Sequence, residues 1–191
     1  MDNKKLKSKS KFLSLILRHQ PELIGIKLDQ NGWVSISAIL NACKDHGKPL
    51  TMEELQFIVE NNNKKRFAFD EKLQRIRANQ GHSVKVDLGY EPKSPPSILY
   101  HGTAIQHLGD IIKNGLVKKS RHHIHLSVSA DIALEVGKRH GVPVVLTIYS
   151  YQMEQDGYDF YVSDNGVWLT DHVPAKYILQ KDHLKKISFH L

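Results

Sequence analysis

The stretch Ser97-Ile98-Leu99-Tyr100-His101-Gly102-Thr103, followed by Ser120-Arg121-His122-His123-Ile124-His125-Leu126-Ser127, decides how this chain is read. Each run is a short apolar strand bordered by His, Gly, Thr, Arg or Ser, residue types that offer donors to a phosphorylated or ribosylated ligand. Between them, residues 106–113 carry Leu108, Ile111 and Ile112 on one helical face and stop at Asn114-Gly115, the usual position of a left-handed C-cap. The order is strand, turn, helix, loop, strand. Polar groups collect at strand ends, where a sheet holds side chains rigidly and backbone amides are free. Three His and one Arg within residues 121–125 are more than packing alone explains.

Downstream, residues 129–140 read as a helix bearing Ile132, Ala133 and Val136 and ending at Gly141. Residues 143–149 form an almost continuous apolar strand, the pattern of a buried central strand. Residues 159–162 and 167–169 are strands around Asp164-Asn165-Gly166, read as a type I′ hairpin turn, and residues 174–179 add a last strand. This half is therefore mostly sheet with two helices. Upstream, residues 87–97 hold Gly89, Pro92, Pro95 and Pro96 with little apolar content and read as a linker. The domains are set at 1–91 and 92–191.

In the first domain residues 10–19 form a helix that Pro21 stops, and Ile26 and Leu28 alternate as a short strand. Ser35 caps a second helix through Ala42. Thr51 and Glu54 have capping-box spacing and open a third, carrying Leu55, Ile58 and Val59. Residues 66–69 and 75–78 make a hairpin. Helix, strand, helix, helix, hairpin is the order of a winged-helix module. The fold class is thus α+β, an N-terminal winged-helix lobe followed by a mixed-sheet lobe.

Of 191 residues 40% are apolar, enough for folded cores, and 27 basic against 20 acidic side chains give a net charge of +7. That balance favours a polyanionic partner. One cysteine, Cys43, excludes an internal disulfide, fits a reducing compartment and sits in an apolar helical run as a structural thiol. No apolar run reaches membrane length, and the basic N-terminus lacks a signal-type apolar core. A cytoplasmic protein is expected, and a monomer, since no large apolar stripe asks for a partner. Trp33 and Trp168 are read as core residues.

No metal site is expected: His123 and His125 share a strand face without a matching Cys or carboxylate pair. P-loop, GxGxxG and GxSxG motifs are absent. What remains is Arg and His at several element ends. The planar fork of Arg suits phosphate, and converging arginines would make a phosphate pocket. The residues alone support two domains that bind phosphate or nucleic acid.

Leu17-Arg18-His19, Lys65-Arg66-Phe67, Asn79-Gln80-Gly81-His82-Ser83, Leu99-Tyr100-His101-Gly102-Thr103, residues 121–127 and Asn165-Gly166-Val167-Trp168-Leu169-Thr170 together resemble the NAD-dependent RNA 2′-phosphotransferases, the tRNA-splicing phosphotransferases and their bacterial relatives. The resemblance spans almost the whole chain. It implies an N-terminal winged-helix RNA-binding lobe, a C-terminal ADP-ribosyltransferase-like lobe, NAD as co-substrate and a tRNA-like RNA carrying a 2′-phosphate as partner. It places the family's catalytic set on Arg18, His19, Arg66 and Arg121, meeting between the lobes. It implies NAD contacts at His101, Gly102, Thr103, His125 and Ser127. Beside it, Arg75 and Arg77 are read as general RNA contacts or a solvated strand face, and His82 as an RNA-phosphate contact or a structural turn residue. The implied reaction removes an internal 2′-phosphate through a 2′-phospho-ADP-ribosylated RNA, releasing nicotinamide and ADP-ribose 1″,2″-cyclic phosphate. Two alternatives stand beside it: ADP-ribosylation of a terminal nucleic-acid phosphate that stops after the first step, and a non-catalytic RNA binder that senses NAD.

Overall fold

The computed structural model describes residues 3–62 and 64–179. Helix and sheet are mixed in an α+β arrangement, and the chain divides into two compact units between Tyr90 and Glu91.

The first unit is built on α1 (Asn3–Arg18). This helix begins seven residues earlier than the apolar run suggested. Leu6 lies on the face that also buries Leu13, Ile16 and Leu17, and intervening lysines leave the core while keeping the helical phase. Lys9 is held by Glu54 through a 2.6 Å hydrogen bond to Oε1. Burying Leu13, Ile16 and Leu17 completely contributes about 1.5–3 kcal/mol for each side chain. A 3-10 turn at Pro21–Ile24 follows, closed by Gly25 at φ 69°.

Ile26 and Leu28 do not form the expected strand; they lie in irregular chain, with Ile26 buried. The strand is β1 (Val34–Ser35), two residues that pair with β3 (Arg75–Ala78). β3 also pairs antiparallel with β2 (Phe67–Phe69), giving the sheet order β1-β3-β2. Two helices lie between β1 and β2. α2 (Ile36–Asp45) is capped by Ser35, whose hydroxyl accepts from Ala38 N. α3 (Met52–Glu60) carries the full capping box of Thr51 and Glu54. Cys43 is 1% exposed, and burial pushes its thiol above the ordinary range, consistent with an inert packing residue.

The second unit opens with β4 (Leu99–Ala104), a 3-10 turn and α4 (Leu108–Asn114), closed by Gly115 at φ 75°. β5 (Leu116–Val117), β6 (Ile124–Leu126), α5 (Ala130–Gly137) and β7 (Pro143–Ile148) follow. A further helix, α6 (Ser150–Gln155), was not expected. It is short, mostly polar, has no side-chain N-cap and buries only Ser150 and Met153, so its periodicity is too weak to show. β8 (Phe160–Val162), β9 (Trp168–Thr170), β10 (His172–Val173) and β11 (Ile178–Leu179) complete the described chain, with a 3-10 turn occupying part of the expected last strand.

As its apolar run required, β7 is central, between β4 and β11. A second sheet has the order β6-β9-β8, and β5 pairs with β10. The β8–β9 connection is not the expected type I′ turn. Gly166 has φ 78° but Asn165 does not have positive φ. Gly166 N donates to Ser163 O at 2.8 Å and Ser163 N to Val167 O at 3.0 Å, the pattern of a three-residue loop with glycine in the left-handed position.

Helix α5 lies against β4 closely enough that Gly102 has no room for a side chain: a Cβ there would stand 1.7 Å from the Ala133 carbonyl oxygen. Gly102→Ala is therefore expected to cost at least the upper part of the about 1–3 kcal/mol typical of overpacking. It should lower the thermal midpoint by several degrees; an unchanged melting curve would show that α5 does not sit this close.

Candidate active site

In the first unit the backbone brings Arg18, His19 and Arg66 together. Residues 83 and 84 run beside the end of α1, with Ser83 N donating to Arg18 O at 2.9 Å. His19 Nδ1 lies 2.9 Å from Ser83 Oγ. The Arg18 guanidinium donates through Nη2 to Arg66 O at 3.3 Å and lies 6.0 Å from the centre of the Phe67 ring. Arg66 donates in turn from Nη1 to Asn62 Oδ1 at 3.0 Å. Asn79 ties the floor of this group: its Nδ2 donates to Lys65 O at 2.8 Å and its own N–H to Arg66 O at 2.9 Å. The stretch 79–83 is thus the seat of the arginines and of His19. Asn79 and Ser83, quoted within the 79–83 motif but given no role of their own, carry this load.

The expected RNA contacts fare differently. His82 is 1% exposed, buried with its Nε2 3.4 Å from where a Gly32 Cβ would stand. Of the two roles read for it, this interior position suits the structural one. Arg75 is half exposed but engaged by two carboxylates, Asp70 at 3.1 Å and Asp29 at 3.5 Å. Asp70 is held below the usual carboxylate range chiefly by its hydrogen bond from the Arg75 backbone. Arg77 stacks on Trp33 with its guanidinium carbon 4.6 Å from the ring centre, and Arg75 lies 5.4 Å from the same ring. Trp33 is therefore not plain core. It is a half-buried platform for two cations.

In the second unit His125 joins the two halves of the opening motif. Its carbonyl lies 3.0 Å from His101 Nδ1, and its ring Nδ1 lies 3.5 Å from Arg121 Nη1. Carbonyl oxygens only accept, so His101 Nδ1 carries the proton. A guanidinium only donates, so His125 Nδ1 accepts. Burial pushes the His101 imidazole below its ordinary value, with the His125 carbonyl opposing. His101 is therefore neutral near pH 7 and turns an Nε2 lone pair away from the His125 carbonyl. Arg121 is exposed, with no ion pair to a carboxylate among the described residues.

The remaining cofactor expectations divide. Gly102 was expected to line a cleft but is buried under α5, where its missing side chain serves packing. Ser127 bridges Tyr100 with hydrogen bonds of 2.8 Å in each direction, and its hydroxyl accepts from Ser129 N at 3.2 Å. Thr103 is 6% exposed. Of the five expected NAD contacts, His101 and His125 are the two linked to Arg121 through one residue: the His101 ring meets the His125 carbonyl and the His125 ring meets Arg121. Among the described residues no group of His, Cys, Asp and Glu is placed to hold a metal ion, and no helix is long and apolar enough to cross a membrane.

The depressed His101 value has a measurable consequence. Below about pH 6.5 the unfolded chain takes up a proton that the folded chain refuses, so stability falls as pH falls toward the folded-state value. The slope is up to about 1.4 kcal/mol per pH unit for one such group. Chemical denaturation at pH 7 and pH 5.5 should show this loss, and His101→Asn should make it shallower. An identical slope in the variant would mean that His101 is not held neutral.

Each unit carries clustered Arg and His, donors of the kind that suit a phosphate, and comparison with known proteins gives the class. The chain belongs to the RNA 2′-phosphotransferase, Tpt1 / KptA family, whose model matches residues 4–172. It is 52% identical over 169 residues to a probable RNA 2′-phosphotransferase of Trichormus variabilis, covering 88% of this chain and 93% of that one. It is also 52% identical over 172 residues to a probable RNA 2′-phosphotransferase of Flavobacterium johnsoniae, covering 90% and 94%. A similar relative in Pseudomonas aeruginosa is 51% identical over 179 residues, covering 93% and 98%.

Proposed function

We propose that this protein is a transferase that removes an internal 2′-phosphate from a tRNA-like RNA with NAD as co-substrate. The supporting observation is that His125 meets the neutral His101 ring with its carbonyl and the exposed Arg121 guanidinium with its own ring, so one residue links a hydrogen-bond acceptor to a cation. That pairing fits NAD and a phosphate side by side. The His101 Nε2 lone pair would accept from a ribose hydroxyl, and Arg121 would take the anion. In this reading the first unit serves as a winged-helix RNA-binding lobe and the second as an ADP-ribosyltransferase-like lobe, in a cytoplasmic monomer.

NAD supplies an anomeric carbon with nicotinamide as leaving group. A phosphate monoester has its second pKa near 6, so the RNA 2′-phosphate arrives ionised and requires no general base. Arg18, Arg66 and Arg121 hold its oxygens in line with the C–N bond that breaks, forming the 2′-phospho-ADP-ribosylated RNA. In the second step the ribose 2″-hydroxyl oxygen bonds to phosphorus and the bond to the RNA 2′-oxygen breaks. The 2″-hydroxyl proton passes to His19 and a proton returns to the RNA 2′-oxygen. The arginines stabilise charge on the non-bridging oxygens. The products are ADP-ribose 1″,2″-cyclic phosphate and RNA with a restored 2′-hydroxyl.

Incubation of a 2′-phosphorylated oligonucleotide with NAD tests this directly. Nicotinamide, the cyclic phosphate and dephosphorylated RNA are the expected products. A conjugate that persists would assign the protein to phosphate ADP-ribosylation, and absence of any reaction would leave a binding protein.

A further inference from the structure

Lys118 and His123 are the first and last residues of the loop between β5 and β6. Both reach the same carboxylate: Lys118 Nζ is 2.9 Å and His123 Nε2 3.8 Å from Asp171 Oδ1. Asp171 stands between Thr170, which pairs with Ile124, and His172, which pairs with Val117. Both ends of the loop are therefore tied to one short segment by strand pairing, and its first residue also by the Lys118–Asp171 ion pair. His123 is also packed edge-on against Tyr161, with ring centres 5.6 Å apart.

The four residues left between these ties are Lys119, Ser120, Arg121 and His122. They line an open basin in which Asp171, already engaged, is the sole carboxylate among the lining residues. Lys119, Ser120 and Arg121 are exposed and His122 is partly so. Among the described residues, Lys119 and His122 make no ion pair or hydrogen bond. Donors on a pinned loop, beside an arginine assigned to a phosphate, form a surplus that the 2′-phosphate alone does not use.

Chemistry supplies a second anion. An internal 2′-phosphate shares its ribose with a 3′-phosphodiester on the neighbouring carbon, so whatever holds one meets the other. Two residues of chain span at most about 7 Å, which keeps Lys119 within reach of a group next to that held by Arg121. We propose that residues 119–122 form a subsite for this flanking phosphodiester, with Lys119 and His122 as its donors, so that the protein distinguishes internal from terminal 2′-phosphates. The assignment rests on the RNA 2′-phosphotransferase reading above.

The test uses two oligonucleotides of equal length. One carries its 2′-phosphate on an internal nucleotide, the other on a 3′-terminal nucleotide with a free 3′-hydroxyl and hence no phosphodiester at that ribose. The wild-type protein should favour the internal substrate in kcat/KM by about 10- to 100-fold, the effect of one charge-assisted hydrogen bond. Lys119→Ala/His122→Ala should bring the two substrates close to parity, leaving the terminal substrate and the KM for NAD unchanged. The salt dependence of RNA binding should also fall by about 0.7 in log–log slope for each contact removed. Both positions lie on the surface, so the fold should survive, which circular dichroism checks. A wild-type protein without preference, or a double variant that keeps it, overturns the subsite while leaving the proposed reaction standing. Failure of the wild-type protein to turn over either oligonucleotide overturns the proposed reaction and the subsite with it.

Discussion

Arg121→Ala is expected to lower turnover of 2′-phosphorylated RNA by about 10²–10³-fold, the usual loss when one fixed donor to a developing oxyanion is removed. The thermal midpoint should stay where it is, because the side chain is exposed and its one described contact is the 3.5 Å approach to His125. The size follows from the reaction. In the proposed reaction the nucleophile is already charged, so catalysis rests on holding and neutralising an anion, and Arg121 offers a guanidinium that no carboxylate among the described residues pairs with. Arg18→Ala should be as damaging. If both act on one phosphate, the double variant will lose far less than the product of the single losses, as for residues that work as a unit. Near-normal single-turnover rates for Arg121→Ala would remove it from the site.

His19→Ala should separate the two steps. Its imidazole is oriented by Ser83 at 2.9 Å, and general-base assistance is commonly worth about 10²–10⁴-fold. In the proposed reaction only the second step needs a proton removed, from a hydroxyl that is a poor nucleophile while it keeps it. The variant should therefore release nicotinamide at a rate closer to normal and accumulate ADP-ribosylated RNA, seen as a slower-migrating species on a denaturing gel. Equal slowing of nicotinamide release and of RNA dephosphorylation would contradict the assignment of His19 to the second step.

Most elements were legible because their signals are local. The capping box of Thr51 and Glu54, the Ser35 cap and the continuous apolar run of β7 each specify their structure within a few residues. Weak local signals misled. The two-residue β1 has no alternation of its own and exists through pairing with β3, whereas Ile26 and Leu28 alternate but find no partner strand. The 3-10 turn and short pairings around β5, β10 and β11 depend likewise on neighbours distant in sequence. At the Asn165-Gly166 turn, one residue more in the loop replaced the expected mirror-image turn.

What the sequence by itself determined is the inventory: the order of the main helices and strands, the family, and the few Arg and His residues with chemistry to offer. Periodicity, capping and motif spacing are properties of neighbours along the chain, so they survive without coordinates. Tertiary structure alone decided the burial and the partners of those side chains. It put His82 in the interior, spent Gly102 on helix packing and gave Arg75 to two aspartates. It also set His101 and Arg121 on either side of His125 and tied both ends of the 118–123 loop to residues 170–172. The physical reason is that burial and hydrogen-bond partnership arise between residues far apart in the chain. An arginine paired with a carboxylate, as Arg75 is, and one that meets only a neutral ring acceptor among the described residues, as Arg121 does, read the same in sequence and differ in what they can bind.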